Sequence, residues 1–243
     1  MLRKLYFIFL IPGIFLFCDC YAQSISSGKS NVRMSDSLVA LYRTAMGQAD
    51  PIYSGTEYLG YVRRPKGHPF FESDRLLPAK ISLGGVYYHD SILYDLVDDA
   101  LILKNYDGSY DLKLVNEKIQ SFSLMDHFFV RLGGNADSAD LLEPGFYERI
   151  YNGKLAVFVR HKKQINTTSI QSEMQSEYVQ YDTYFIRKGG EYLRVHNRNS
   201  LLQALKERKN EVRSFLRKQN LDFKKDPFNS TRKAAEFFDQ VNK

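Results

Sequence analysis

The chain of 243 residues has no tryptophan and only two cysteines, Cys18 and Cys20, both close to its start. It contains no Gly-x-Ser-x-Gly elbow, no Gly-x4-Gly-Lys-Ser/Thr phosphate loop and no His-Glu-x-x-His helix, which removes the commonest hydrolase, nucleotide and zinc-protease signatures. Long apolar stretches are scarce too. The one candidate, Leu5 to Phe17, gives about 20 Å of helix, short of the roughly 20 residues that a bilayer core requires.

That short run has the form of an export signal. Arg3 and Lys4 precede it, and Cys20-Tyr21-Ala22 places small residues at the minus-three and minus-one positions of a cleavage site, so residues 1–22 are read as a signal peptide and Gln23 as the mature start. A lipidated cysteine is the competing reading. Phe17 precedes Cys18 and Asp19 precedes Cys20, where such cysteines usually follow a small residue, so cleavage after Ala22 fits better. Cleavage removes both thiols, excluding disulfides, thiolate metal ligands and a cysteine nucleophile from the mature chain.

Charge is unevenly placed. The full chain carries 34 Lys and Arg against 28 Asp and Glu, and twelve basic residues against four acidic ones fall between Arg194 and Lys233. Within this segment Arg208, Lys209, Arg213, Lys224 and Lys225 form a candidate basic surface. For an exported protein its partners are an envelope protein or an anionic surface such as lipid head groups or lipopolysaccharide, and not nucleic acid. The alternative is the wetted side of an amphipathic helix.

The expected fold is α+β, mainly an antiparallel sheet built as a meander or roll, with a short N-terminal helix and a C-terminal helical segment. Residues 23–34 are Ser-rich and aperiodic, a flexible leader. Ser35 suits an N-cap for a helix carrying Leu38, Leu41, Tyr42 and Ala45. From Ile52 to Val195 the period changes to two, as in Leu112 and Leu114 or Phe122 and Leu124. Ser54-Gly55, Gly84-Gly85, Asp107-Gly108, Asn152-Gly153 and Gly189-Gly190 predict five hairpins. The stretch Thr167 to Tyr181 reads as either helix or strand. Residues 35–197 thus form a helix plus antiparallel domain, and 198–243 form basic amphipathic helices packed on it. There Ser200 and Gln203 suggest a capping box, Pro227 an interruption and Asn229 a cap for the last helix.

Adjacent aromatics at Tyr87-Tyr88, Phe128-Phe129, Phe146-Tyr147 and Tyr184-Phe185 put rings on both sides of the sheet. Either both faces are covered or one shelters a ligand. The candidate binding residues are His68, Phe70, Phe71, Tyr94 and Asp95. His68-Pro69-Phe70-Phe71 reads as a recognition edge or a packed strand entry, because proline denies the ladder a donor just before two rings. Asp95, Asp98 and Asp99 suggest either a cation site or a solvated bend. The pairs His89-Asp90 and Asp126-His127 invite a general-base reading that strand geometry disfavours, since sequence neighbours point apart. No catalytic set, metal site or cofactor is assigned.

Gly67-His68-Pro69-Phe70-Phe71, Tyr94-Asp95-Leu96-Val97-Asp98-Asp99 and Leu221-Asp222-Phe223-Lys224-Lys225-Asp226-Pro227 resemble stretches of an uncharacterised family of exported proteins from Bacteroidetes-type bacteria. The family has no assigned activity, so the resemblance implies location and shape without chemistry. It also implies that Asp36-Ser37-Leu38, Asp90-Ser91-Ile92 and Asp137-Ser138-Ala139 match the acceptor for periplasmic O-glycosylation. Together these features predict a soluble, exported, non-catalytic binding or assembly module. The alternatives are a periplasmic carrier of an apolar ligand such as a lipid, and a hydrolase with an Asp/His site.

Overall fold

A computed structural model describes residues 36–62, 65–133, 141–170 and 173–242. The signal segment, the leader, Ser35 and Asp137-Ser138-Ala139 lie outside the described residues. An N-terminal helix α1 covers Asp36–Met46. Among the described residues, no helix is long and apolar enough to cross a membrane.

Among the described residues, eleven strands form one antiparallel sheet: β1 (Gly55–Glu57), β2 (Leu77–Leu83), β3 (Val86–Asp95), β4 (Ala100–Lys104), β5 (Asp111–Leu114), β6 (Ile119–Leu124), β7 (His127–Leu132), β8 (Gly145–Asn152), β9 (Ala156–Ile170), β10 (Glu173–Lys188) and β11 (Glu191–Val195). Their order is β1-β5-β4-β3-β2-β6-β7-β8-β9-β10-β11, two meanders joined where β6 lies against β2. Pro78 is placed without loss, one residue outside the part of β2 that pairs with β6.

Four of the five glycine pairs sit at hairpin ends, and one does not. Gly55 opens β1, and a Cβ there would come within 2.2 Å of the Lys113 carbonyl oxygen, so this glycine serves close strand approach instead of a turn. Two turns use residues other than glycine: Asp99 and Met125 hold φ of 52° and 51° between β3 and β4 and between β6 and β7. The ambiguous stretch Thr167 to Tyr181 belongs to β9 and β10, strands of 15 and 16 residues paired from Ala156–Arg187 to Ile170–Glu173.

The sheet curls until the end of β3 meets β9, where the Lys163 N–H donates to Leu96 O at 3.0 Å. A closing segment, residues 65–71, spans the remaining opening. Lys66 forms a parallel bridge to β10, donating to Ser176 O at 2.8 Å and accepting from the Tyr178 N–H at 3.1 Å. Farther along, Phe70 bridges Asp95, the Phe71 N–H donates to Tyr94 O at 2.8 Å, and Pro69 O accepts from the Leu96 N–H at 3.0 Å. His68-Pro69-Phe70-Phe71 is therefore the end of a sheet closure.

Alternation along the strands decides what fills the roll. Phe71, Tyr94, Phe122, Phe129 and Phe146 are all buried in its largest apolar cluster. Phe122 and Phe129 stack at 4.6 Å, and the Tyr94 ring meets each edge-on at 5.2 Å. Successive residues then serve different layers. Phe146 enters this cluster while Tyr147 turns to a second one with Phe158 and Phe185, and Tyr184 joins Val157, Val159 and Ile186 in a third. Both faces are covered where β8 meets Ala156 to His161 of β9 and Tyr184 to Ile186 of β10, whereas the far halves of β9 and β10 are mostly exposed and Tyr87 on β3 is exposed beside buried Tyr88.

The third cluster is where the C-terminal helices dock: α2 (Arg198–Ala204), α3 (Lys209–Lys218) and α4 (Pro227–Val241). Asn197, not Ser200, caps α2; Ser200 sits at the third helical position and closes the box by accepting from the Asn197 N–H. Pro227 begins α4 instead of interrupting a helix, and Asp226 is the cap, accepting from the Asn229 N–H at 2.9 Å. Buried Asp239 fastens α4 to the β8–β9 turn by accepting from the Tyr151 hydroxyl and the Lys154 and Leu155 N–H groups.

Candidate functional site

A polar chain lies against the aromatic core, and period-two geometry builds it. His161 shares strand parity with Val157 and Val159 on β9, Asp182 with Tyr184 and Ile186 on β10, and Glu148 is the buried carboxylate of β8. The pairing sets His161 opposite Asp182 and Glu148 opposite Val159, so one ring reaches both carboxylates. Its Nε2–H donates to Glu148 Oε2 and its Nδ1–H to Asp182 Oδ1, both at 2.8 Å. Glu148 Oε1 accepts from His127 Nδ1–H at 2.7 Å, and His127 Nε2 faces Glu72 Oε1 at 3.3 Å. Carboxylate and imidazole thus alternate from Glu72 to Asp182.

Electrostatics favour the charged form of each inner member. Burial opposes charge on His161, but the bonds to Asp182 and Glu148 outweigh it and push the imidazole up to about 9. His127 is raised chiefly by its hydrogen bond to Glu148, against burial. Burial likewise opposes the Glu148 and Asp182 carboxylates, yet their imidazole partners hold both below the usual carboxylate range. Phe71 shapes the surroundings, its ring 4.9 Å from His127 and 5.3 Å from His161.

The chain opens into a cleft of about 350 Å³ lined also by His68, Lys163, Gln180 and Phe228. Lys163 is already occupied, donating to the carbonyls of His68 at 3.1 Å and Phe70 at 2.6 Å, which fixes the closing segment over β9. A second cleft of about 570 Å³ begins at Asp182 and runs along Tyr184, Val195, Arg198, Phe223 and Lys224. Among the described residues, no group of three or more His, Asp and Glu has the geometry to hold a metal ion.

Of the candidate binding residues, His68 and Phe71 line the first cleft, Phe70 bridges Asp95, and Tyr94 is wholly interior. The acidic group disperses into three separate tasks. Asp95 is fully buried, accepting from the Tyr58 hydroxyl at 2.7 Å, the Tyr61 hydroxyl at 2.9 Å and the N–H groups of Val97 and Asp98. Asp98 pairs with Lys113 at 2.9 Å. Asp99 accepts from the Tyr94 hydroxyl, the Phe146 N–H and Arg160, and burial pushes its carboxyl up against these partners. A solvated bend is thus the wrong description for Asp95. His89 is exposed on β3 opposite Lys80, away from the cleft.

On the basic segment, Lys209, Arg213, Lys224 and Lys225 are exposed, while Arg208 is tied to Glu211, Asn242 and the Val241 carbonyl. Glu72, Glu148, His161, Gln180 and Asp182 complete the site and were not marked by any sequence motif. A signal existed in the parity of His161 and Asp182, polar residues at positions that alternation assigns to an apolar face. In comparison with known proteins, the chain matches no family model, no curated protein and no solved structure.

Proposed function

We propose that the protein is an exported, non-catalytic binding module that receives its ligand at the cleft over β9 and β10. The observation that carries this reading is the mutual saturation of the imidazoles: both nitrogens of His161 and both of His127 face carboxylate oxygens. A general base needs a free lone pair within reach of a substrate proton, and His161 has none to offer. Hydrolysis by an Asp/His pair is correspondingly disfavoured. The interlocked rings of Tyr94, Phe122, Phe129 and Phe146 weigh against an apolar carrier in the same way, since they occupy the space a lipid would need. Export rests on residues 1–22, and an envelope protein or anionic surface is the class of partner it makes accessible.

Two measurements test the reading. Incubation of the chain from Gln23 onward with ester, phosphoester, glycoside and peptide substrates should give no turnover above buffer, and turnover abolished by Glu148→Gln would establish catalysis instead. Intact mass of the protein recovered from the producing cell should begin at Gln23, while a mass that includes residues 1–22 would remove the export argument.

A further inference from the structure

The edge of β10 is interrupted by a gap. In an antiparallel strand, alternate residues send both N–H and C=O to the same side. Ser176 O and the Tyr178 N–H reach Lys66 on the side away from β9, and Tyr184, Ile186 and Lys188 pair there with Val195, Leu193 and Glu191. Gln180 and Asp182 fall in the same alternation between these two partners. Neither has a backbone hydrogen bond on that side among the described residues. Gln180, Tyr181 and Asp182 are also exposed. The open stretch from Tyr178 to Tyr184 is about 20 Å long at roughly 3.4 Å per residue, room for about five residues of extended chain.

Both clefts adjoin this gap. Gln180 and Asp182 line the first and Asp182 the second, so alternate side chains of an added strand would be directed toward them. The donors near the first cleft are largely spent: Lys163 Nζ is held by two carbonyls, and the imidazoles by carboxylates. What remains unengaged among the described residues is accepting oxygen: Glu72 Oε2, Asp182 Oδ2 and Gln180 Oε1. His68 Nδ1, on the same cleft wall, is buried without a partner.

We propose that an extended peptide adds as a strand to β10 at Gln180–Asp182, with a lysine or arginine side chain held beside Glu72 and Asp182. This deepens the binding-module reading and rests on it. Backbone pairing supplies affinity for any extended chain, and the acceptor-rich cleft selects the basic residue.

The probe is a displayed library of random decapeptides selected on the chain from Gln23 onward. Expected are enriched peptides of β-forming residues with one lysine or arginine, whose binding slows hydrogen exchange at the Gln180 and Asp182 amides. Gln180→Pro removes an edge donor without touching the ladder to β9, and should weaken an enriched peptide at least tenfold, as should N-methylation of that peptide's backbone. Unchanged exchange at the Tyr181 and Thr183 amides certifies that the variant is folded. Enrichment of acidic peptides, binding indifferent to N-methylation, no enrichment, or Gln180 and Asp182 amides already protected in the free protein would overturn the proposal. A different ligand that shifts the His127 ring signals while those amides stay unaffected would leave the binding module standing without the edge site.

Discussion

Replacing His161 by glutamine should cost stability in a pH-dependent way. The side chain is 6% exposed and placed between Glu148 and Asp182, so the variant removes a buried cation shared by two carboxylates. A rise from an ordinary 6.5 to about 9 corresponds to about 3 kcal/mol. Because the folded-state value lies above the unfolded one, the stabilisation is fully present below about pH 6.5 and is lost as pH rises through about 9. Urea unfolding of the native chain and of His161→Gln at pH 6, 7.5, 9 and 10 should show a gap of about 3 kcal/mol at pH 6 that narrows steadily toward pH 10. Carbon-bound ring-proton NMR gives the same midpoint directly. A His161 titration at or below 6.5, or a gap that does not change with pH, would refute the claim that the imidazole is held charged by its neighbours.

Other positions give sharper single readings. Phe129→Ala removes a fully buried ring in contact with Tyr94, Phe71 and Phe122 and should cost about 3 to 5 kcal/mol in urea unfolding, with a value under 1 showing a loosely filled interior. Gly145→Ala would put a methyl 2.1 Å from Asp99 Oδ2 and 2.4 Å from Arg160 Nη1, displacing that pair; a loss of about 3 kcal/mol is expected, and Tm measurement checks it. Asp239→Ala strands the Tyr151 hydroxyl and two N–H groups and should cost about 2 to 3 kcal/mol, with proteolysis near α4 becoming faster than in the native chain.

The strand-rich core was legible because its signals are local. Alternation at Leu112 and Leu114 or Phe122 and Leu124, and glycine at four hairpins, act within a few residues of each other. The turns at Asp99 and Met125 were not legible, since a non-glycine residue takes positive φ only when tertiary contacts hold it, as Tyr94 and Arg160 hold Asp99. Helix starts are legible only to within a few residues, because Asn197 and Asp226 compete with Ser200 and Asn229 as caps and sequence does not rank such near neighbours. The site was the least visible. Glu72, His127, Glu148, His161 and Asp182 come from five separate parts of the chain, and only strand register, with the closing segment that leads into Glu72, brings them into line.

The fastening of Lys163 to the carbonyls of His68 and Phe70 joins positions 95 and 93 apart in the chain, and Lys66 meets a strand still farther on. Bringing such distant points together is entropically expensive until the β9–β10 hairpin exists to receive them. Assembly therefore has an order, in which meanders zip locally and the early stretch waits for sequence synthesised much later. Pulse-labelled exchange during refolding should find the Phe71 and Leu96 amides among the last to gain protection, well after those of Ile81 and Val157. A nascent chain halted before residue 163 would lack both the Lys163 anchor and the β10 partner of Lys66, leaving the closing segment unfastened until translation moves on.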